Sequence, residues 1–239
     1  MQDSTIKTQP TATPAKQPDE RGGIHLQGHI KIFDPETKEV FVDKRNAIHY
    51  ENMSEAIAQS LSNKGVSFIT EMHFGNGGTT VDPTGVITYL PTNTNVQNAD
   101  LYSPQYYKIV DDTNAQNSDL YNPTYYKIID DTNTNNTDPF RNKIAIMHVP
   151  GQVYTDIVVT CLLDYGEPSG QSVFDNSQNL NGQFVFDELG LKGFSSVGEG
   201  LGNLLTHVIF SPVQKSLNRL IQIDYTVRIQ TLTNLSTNA

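Results

Sequence analysis

The chain of 239 residues has no tryptophan, a single cysteine and no long apolar run. A bilayer-spanning helix needs about 20 consecutive apolar residues, so none is expected here. Cys161, standing alone, excludes an internal disulfide framework and any multi-cysteine zinc site. It falls on the apolar side of a predicted strand and reads as a buried structural thiol. Basic residues are scarce: 16 Lys and Arg against 26 Asp and Glu leave a net charge of −10. That balance argues against nucleic-acid binding, which needs clustered cations to neutralise phosphates, and disfavours anionic membranes. The first residues, MQDSTIKTQPTATP, lack the apolar core of a secretory signal. A soluble protein made in a reducing cytoplasm is the expectation.

What the chain does have is a sentence written twice. Leu101–Asp119 (LYSPQYYKIVDDTNAQNSD) and Leu120–Asp138 (LYNPTYYKIIDDTNTNNTD) are 19-residue units identical at 13 positions. Thr94–Asp100 matches the tail of each unit. A tandem duplication survives where the fold absorbs extra length, normally at the surface. Two units are too few for a self-supporting solenoid. The repeat is therefore expected as an embellishment, a tandem-repeat insertion at about residues 92–139, and not as the architecture. Its tyrosines, Tyr102, Tyr106, Tyr107, Tyr121, Tyr125 and Tyr126, make a candidate interaction surface for protein or sugar. Aromatic packing inside a hairpin is the reading favoured over such a surface.

Around the insertion the chain divides into an arm and a body. Residues 1–23 are polar and Pro-rich, and read as a flexible N-terminal arm that orders only against a neighbour. Residues 24–239 read as a single β-rich domain. HIKIFDPETKEVFVD predicts a hairpin around Pro-Glu-Thr-Lys. Asn52, three residues before Glu55, predicts a capped helix over 53–63, with Met53, Ile57 and Leu61 on one side and Gly65 past its end. Val66–Phe74 alternates apolar and polar residues, and Gly75-Asn-Gly-Gly78 then supplies the positive φ values of a tight turn. Further strands are predicted at 86–90, 106–110, 125–129, 143–149, 156–164, 183–186 and 206–210. The clearest is the last, with Ile221, Ile223, Tyr225, Val227 and Ile229 on one face. The fold class is mainly β: an antiparallel sandwich or barrel-like domain with one short α-helix.

No chemical motif stands out. His25 and His29 have helical metal-pair spacing but lie in an extended segment, where the two are about 13 Å apart. Asp112-Thr-Asn114 and Asp131–Asn135 have the alternating oxygens of a calcium loop without its glycine or closing glutamate, and read as solvated turns. Gly198-Glu-Gly-Leu-Gly202 lacks the context of a phosphate loop and reads as a flexible loop. Asp187-Glu188 and Asp111-Asp112 are sequence neighbours that point to opposite strand faces, so they make poor acid/base couples and read as solvated. There is no Gly-x-Ser-x-Gly elbow and no histidine near Cys161 in sequence. Neither a catalytic residue, a metal nor a cofactor is expected. A hydrolase with a site dispersed over the fold and a carbohydrate-binding β-sandwich remain as alternatives.

Three stretches resemble virion structural proteins of tailed bacteriophages: GHIKIFDPETKEVFVDKRNAIHYENMSEAIAQSL, EMHFGNGGTTVDPTGVITYLP and LTHVIFSPVQKSLNRLIQIDYTVRI. They cover most of the body and bracket the repeat. The resemblance implies a non-enzymatic part of the particle, made in the host bacterial cytoplasm and copied around a symmetric ring or lattice. Its partners would be further copies and other virion proteins, with no nucleic acid, membrane or small-molecule substrate. A neck or tail position comes first, then a capsid-surface or baseplate/fibre-attachment role.

Overall fold

The computed structural model describes residues 22–65, 67–110, 143–165, 167–168, 183–216 and 218–233. In chain order the elements are β1 (Gly22–Phe33), β2 (Val40–Ile48), α1 (Tyr50–Ser62), β3 (Ile69–Gly75), β4 (Thr79–Val81), β5 (Ile87–Tyr89), β6 (Pro104–Ile109), β7 (Lys143–His148), β8 (Tyr154–Leu163), β9 (Gln183–Gly193), β10 (Thr206–Ser216) and β11 (Ile221–Thr233). Among the described residues, nine strands form one antiparallel sheet in the order β6-β3-β9-β10-β2-β1-β11-β8-β7, and β4 pairs with β5 in a separate ribbon. The mainly β, barrel-like class expected from the sequence is what the chain adopts, as a sheet curled into a half-barrel.

The strands follow their side-chain alternation. In β11, Ile221, Ile223, Tyr225 and Val227 are buried, while Gln222, Asp224, Thr226 and Arg228 face the other way. β1 pairs with β11 along its whole length, from Gly22 opposite Thr233 to Phe33 opposite Gln222. The β1–β2 hairpin forms as predicted. The Asp34 carboxylate accepts from Glu36 N (2.8 Å) and Thr37 N (3.0 Å), and Lys38 adopts a left-handed φ of 64°.

A flat sheet would hold β6 and β8 seven strand steps apart, about 34 Å at ~4.8 Å per step. Instead Lys108 Nζ on β6 donates to the Leu162 carbonyl on β8 and to Glu167 Oε2 at 2.8 Å. The sheet therefore curls around one core. Ile30, Phe74, Cys161, Phe186 and Tyr225, from β1, β3, β8, β9 and β11, meet in it.

Several expectations change. The helix begins at Tyr50, three residues earlier than predicted, because its cap is His49 and not Asn52. His49 Nδ1 accepts from Asn52 N at 3.2 Å, which leaves Nε2 to donate to Val96 O at 2.7 Å. Asn52 is buried and ties the helix to Gln97 O and Leu204 O. Met53 packs into the core and Ile57 against it, but Leu61, one turn on, is exposed. Strand β9 runs on to Gly193, and β10 continues past Pro212 to Ser216. An irregularity between Ile209 and Val213 absorbs the proline and shifts the register against β9.

The expected insertion does not start at 92. Residues 92–110 belong to the body: β6 is a strand of the main sheet, and Ala99, Leu101, Ile109 and Val110 are buried. The first half of the first repeat unit is thus core-forming. Residues 111–139, with the second unit's strand at 125–129 and both candidate calcium segments, lie outside the described residues, as do residues 1–21 of the N-terminal arm. Gly22 and Gly23 of that arm are the first residues of β1.

Candidate functional site

Among the described residues, three groups of buried polar side chains and the terminal strand β7 are where function would reside. The first group centres on Glu188 of β9, fully buried. Its carboxylate accepts from Gly77 N (3.1 Å), Tyr102 N (2.9 Å) and Ser103 N (2.8 Å). His207 Nδ1 accepts from Asn93 N at 2.8 Å, so its Nε2 carries the proton and donates to Glu188 at 3.1 Å. Burial pushes the Glu188 carboxyl up, but the donations from His207, Ser103, Tyr102 and Gly77 outweigh it and hold it below the ordinary value. Next door, Asp187 accepts from Gly78 N (2.9 Å), Thr79 N (2.8 Å) and the Thr79 hydroxyl. Here burial wins, and the Asp187 carboxyl lies above its ordinary value.

The pair expected to be solvated is therefore buried and fully engaged. The two carboxylates do diverge, and together they hold the 75–79 and 101–103 segments. The glycines at 75, 77 and 78 are needed for this, not for positive φ. A Cβ on Gly75 would lie 2.4 Å from Glu188 Oε1, and one on Gly77 would lie 2.9 Å from Ser103 N.

The second group lines a shallow cleft of about 190 Å³ bordered by His73, Asp100, Gln105, Tyr107, Lys192 and Gly200. His73 Nε2 sits 2.7 Å from Glu71, and Gly200 N donates to both Glu71 oxygens at 2.9 and 3.0 Å. Lys192 Nζ bonds Asp100 (2.8 Å) and the Gly200 carbonyl (3.1 Å). Burial, reinforced by the Lys192 charge, holds His73 below its ordinary value against the pull of its Glu71 hydrogen bond. Among the described residues the cleft walls carry a carboxylate-oriented imidazole and no Ser, Thr or Cys. The glycine loop expected to be flexible is clamped into this group. A Cβ on Gly202 would meet the Gly193 carbonyl at 1.7 Å.

The third group closes the half-barrel. Lys108 pairs with Glu167, and the buried Lys215 donates to Ser216 O at 2.7 Å. Burial raises the Glu167 carboxyl despite its lysine partner, and burial lowers the Lys215 amine to about 8. Cys161 lies in the core beneath this group, its thiol pushed up to about 12, chiefly by burial. Native protein should leave Cys161 unmodified by a thiol reagent over hours and take up one equivalent on unfolding. Rapid labelling of the native chain would contradict the packing.

The tyrosines of the first repeat unit point to separate places. Tyr106 packs against Phe74 and Phe184 at ring separations of 5.8 and 6.3 Å. Tyr107 stacks on His73 at 5.2 Å and donates to Glu199. Tyr102 is half-exposed, with its hydroxyl on Pro91 O at 2.8 Å. They form no shared stacking platform. Tyr121, Tyr125 and Tyr126 lie outside the described residues. His25 contacts Gln27, and His29 contacts Asp43 at 2.8 Å. Among the described residues no group of three or more His, Cys, Asp or Glu is placed to hold a metal.

The remaining feature is β7, which among the described residues has β8 as its one sheet neighbour and carries exposed Ile146 and Met147 on either side of the sheet, with buried Ala145 between Ile144 and Ile146. Sequence reasoning found this strand but had no means of placing it last in the described sheet. No family model matches the chain, and neither the curated proteins nor the solved structures contain a match to it.

Proposed function

We propose that the chain is a non-enzymatic structural subunit of a tailed-phage virion, assembling in multiple copies in a ring or lattice, with a neck or tail position first. One observation carries this: the buried ionic groups of the described body are committed to holding its own segments, whereas β7, the last strand of the described sheet, exposes Ile146 and Met147. Catalytic sites keep polar groups poised toward a substrate. Assembly proteins need a rigid body and exposed pairing surfaces. The acidic charge supports a soluble pool of subunits before assembly.

Mass spectrometry of gradient-purified particles from lysates of the phage-bearing host tests this. The chain should be present at a copy number fitting a symmetric ring or lattice. Its absence from intact particles, or turnover of an ester, glycan or peptide substrate abolished by His73→Ala, would overturn the proposal.

A further inference from the structure

Lys108 and Glu167 meet out of water. Lys108 is fully buried and the Glu167 side chain is 7% exposed, with Nζ and Oε2 2.8 Å apart. The Lys192–Asp100 pair has the same separation, but its carboxylate is 44% exposed. Hydration keeps an exposed amine and carboxylate apart as ions. Burial withdraws that hydration and favours the neutral amine and the neutral acid. These differ from the ion pair by one proton moved along the 2.8 Å contact. The raised Glu167 carboxyl is in keeping with this, burial being its first cause.

The surrounding groups suit the same pair to react. Glu167 Oε2 accepts from Asp164 N at 2.8 Å, which holds the carboxyl and draws electron density from its carbon. The Lys108 amine donates to the Leu162 carbonyl, which fixes its direction. Lys215 is fully buried in the same group, close enough for the charges of Glu167, Asp164 and Lys108 to act on its amine. Burial lowers that amine to about 8, so it gives and takes a proton near neutrality. Groups held in reacting position behave as if at effective concentrations of about 10⁵–10⁸ M.

We propose that Lys108 and Glu167 become joined by an amide bond in the folded chain, a covalent clasp between β6 and the segment that follows β8. The Lys108 nitrogen attacks the Glu167 carboxyl carbon, a C–N bond forms and the C–OH bond breaks. The hydroxyl leaves with a proton shed by the nitrogen and relayed through Lys215. One water is released, and the step balances without a co-reactant. The two residues are 59 apart in sequence, so the bond closes a long loop and restrains the unfolded chain as a disulfide would. It fixes the curl that brings β6 to β8. Because the bond follows folding, a newly folded chain still has the Glu167 carboxyl to titrate, and the linked chain does not. The inference goes beyond the assembly reading and does not depend on it.

Intact-mass spectrometry tests it, on the full chain folded at about pH 8, sampled over days and then denatured. The wild-type chain should lose the mass of one water. Its tryptic digest should contain a branched peptide in which Lys108 is uncut and joined to Glu167. Lys108→Arg keeps the cation without the primary amine and should hold its full mass. Lys192→Arg, at the pair with the exposed carboxylate, should lose the water as the wild type does. Lys215→Met should slow the loss by about 10²-fold or more. Circular dichroism melts establish that each sample is folded, and the linked wild type should melt above the freshly folded one. A folded wild-type chain that stays at full mass would overturn the clasp. So would an equal water loss from Lys108→Arg, or a branched peptide joining other residues. An unchanged rate in Lys215→Met would overturn the relay.

Discussion

Replacing Glu188 with Ala should lower stability by about 3–5 kcal/mol, the usual cost of breaking a buried charged network, and depress the melting temperature by on the order of 10 °C. Three backbone N–H groups, from Gly77, Tyr102 and Ser103, and the His207 imidazole all donate to this one carboxylate. Truncation orphans four donors at once and leaves a cavity beside Gly75. The carboxyl is held below its ordinary value of 4.5. Its contribution is therefore complete above that value and is lost as pH falls through the lowered one. Asp187 and Glu167 act in the opposite sense: both are raised, so each favours the folded state below its ordinary value and loses that contribution as pH rises through the raised one. Glu188→Gln, which cannot accept from all four donors, should remove the Glu188 component of the acid limb and keep the other two. Thermal melts between about pH 3 and 7 read the difference. A Gln variant with wild-type stability and an unchanged acid limb would show that Glu188 is not the tie described.

Deleting both repeat units should abolish folding, whereas deleting either one should not. Residues 101–110 supply buried Leu101, Ile109 and Val110 as well as Lys108, the residue that closes the half-barrel. Burying each of those three apolar side chains is worth about 1.5–3 kcal/mol. Their combined loss matches the whole stability of an ordinary domain, about 5–15 kcal/mol. Removing 120–138 leaves the first unit in place and should be nearly neutral. Removing 101–119 brings Leu120, Tyr125, Lys127 and Ile128 to the same steps from Asp100. Ile129 then stands where Val110 is fully buried, an overpacking that costs about 1–3 kcal/mol. Circular dichroism melts of the three deletions give the order: wild type and the 120–138 deletion together, the 101–119 deletion a few degrees lower, the double deletion without a transition. A double deletion that melts like the wild type would remove β6 from the fold.

The elements legible in the sequence are those whose side chains alternate without interruption. β11 and the β1–β2 hairpin fall in this group, and with them the β class. The misplaced features each involve a polar residue working inside the fold. His49 caps α1 with a ring nitrogen, outside the usual Ser, Thr, Asp and Asn set, so Asn52 drew the boundary. Asp187 and Glu188 interrupt β9 with two charges, and only the loops they bind explain their burial. The Gly75–Gly78 run carries a turn signature, but the requirement there is close approach to Glu188. Lys108 left one visible signal, a lysine between Tyr107 and Ile109 in a predicted strand. The chain position of its partners, Leu162 and Glu167, gives no hint that they meet it. Edge status is a property of the whole sheet order, so β7 was readable as a strand and not as a surface.

Hydrogen exchange across Lys143–His148 at low and high protein concentration tests the central claim most directly. Alternate amides of an edge strand point away from its single neighbour. About half of the β7 amides should exchange quickly in dilute solution and slow as concentration rises, with β1, β8 and β11 protected throughout. Full protection of β7 in dilute solution, or fast exchange that concentration leaves unchanged, would contradict the assembly reading, in which the exposed part of β7 meets other subunits.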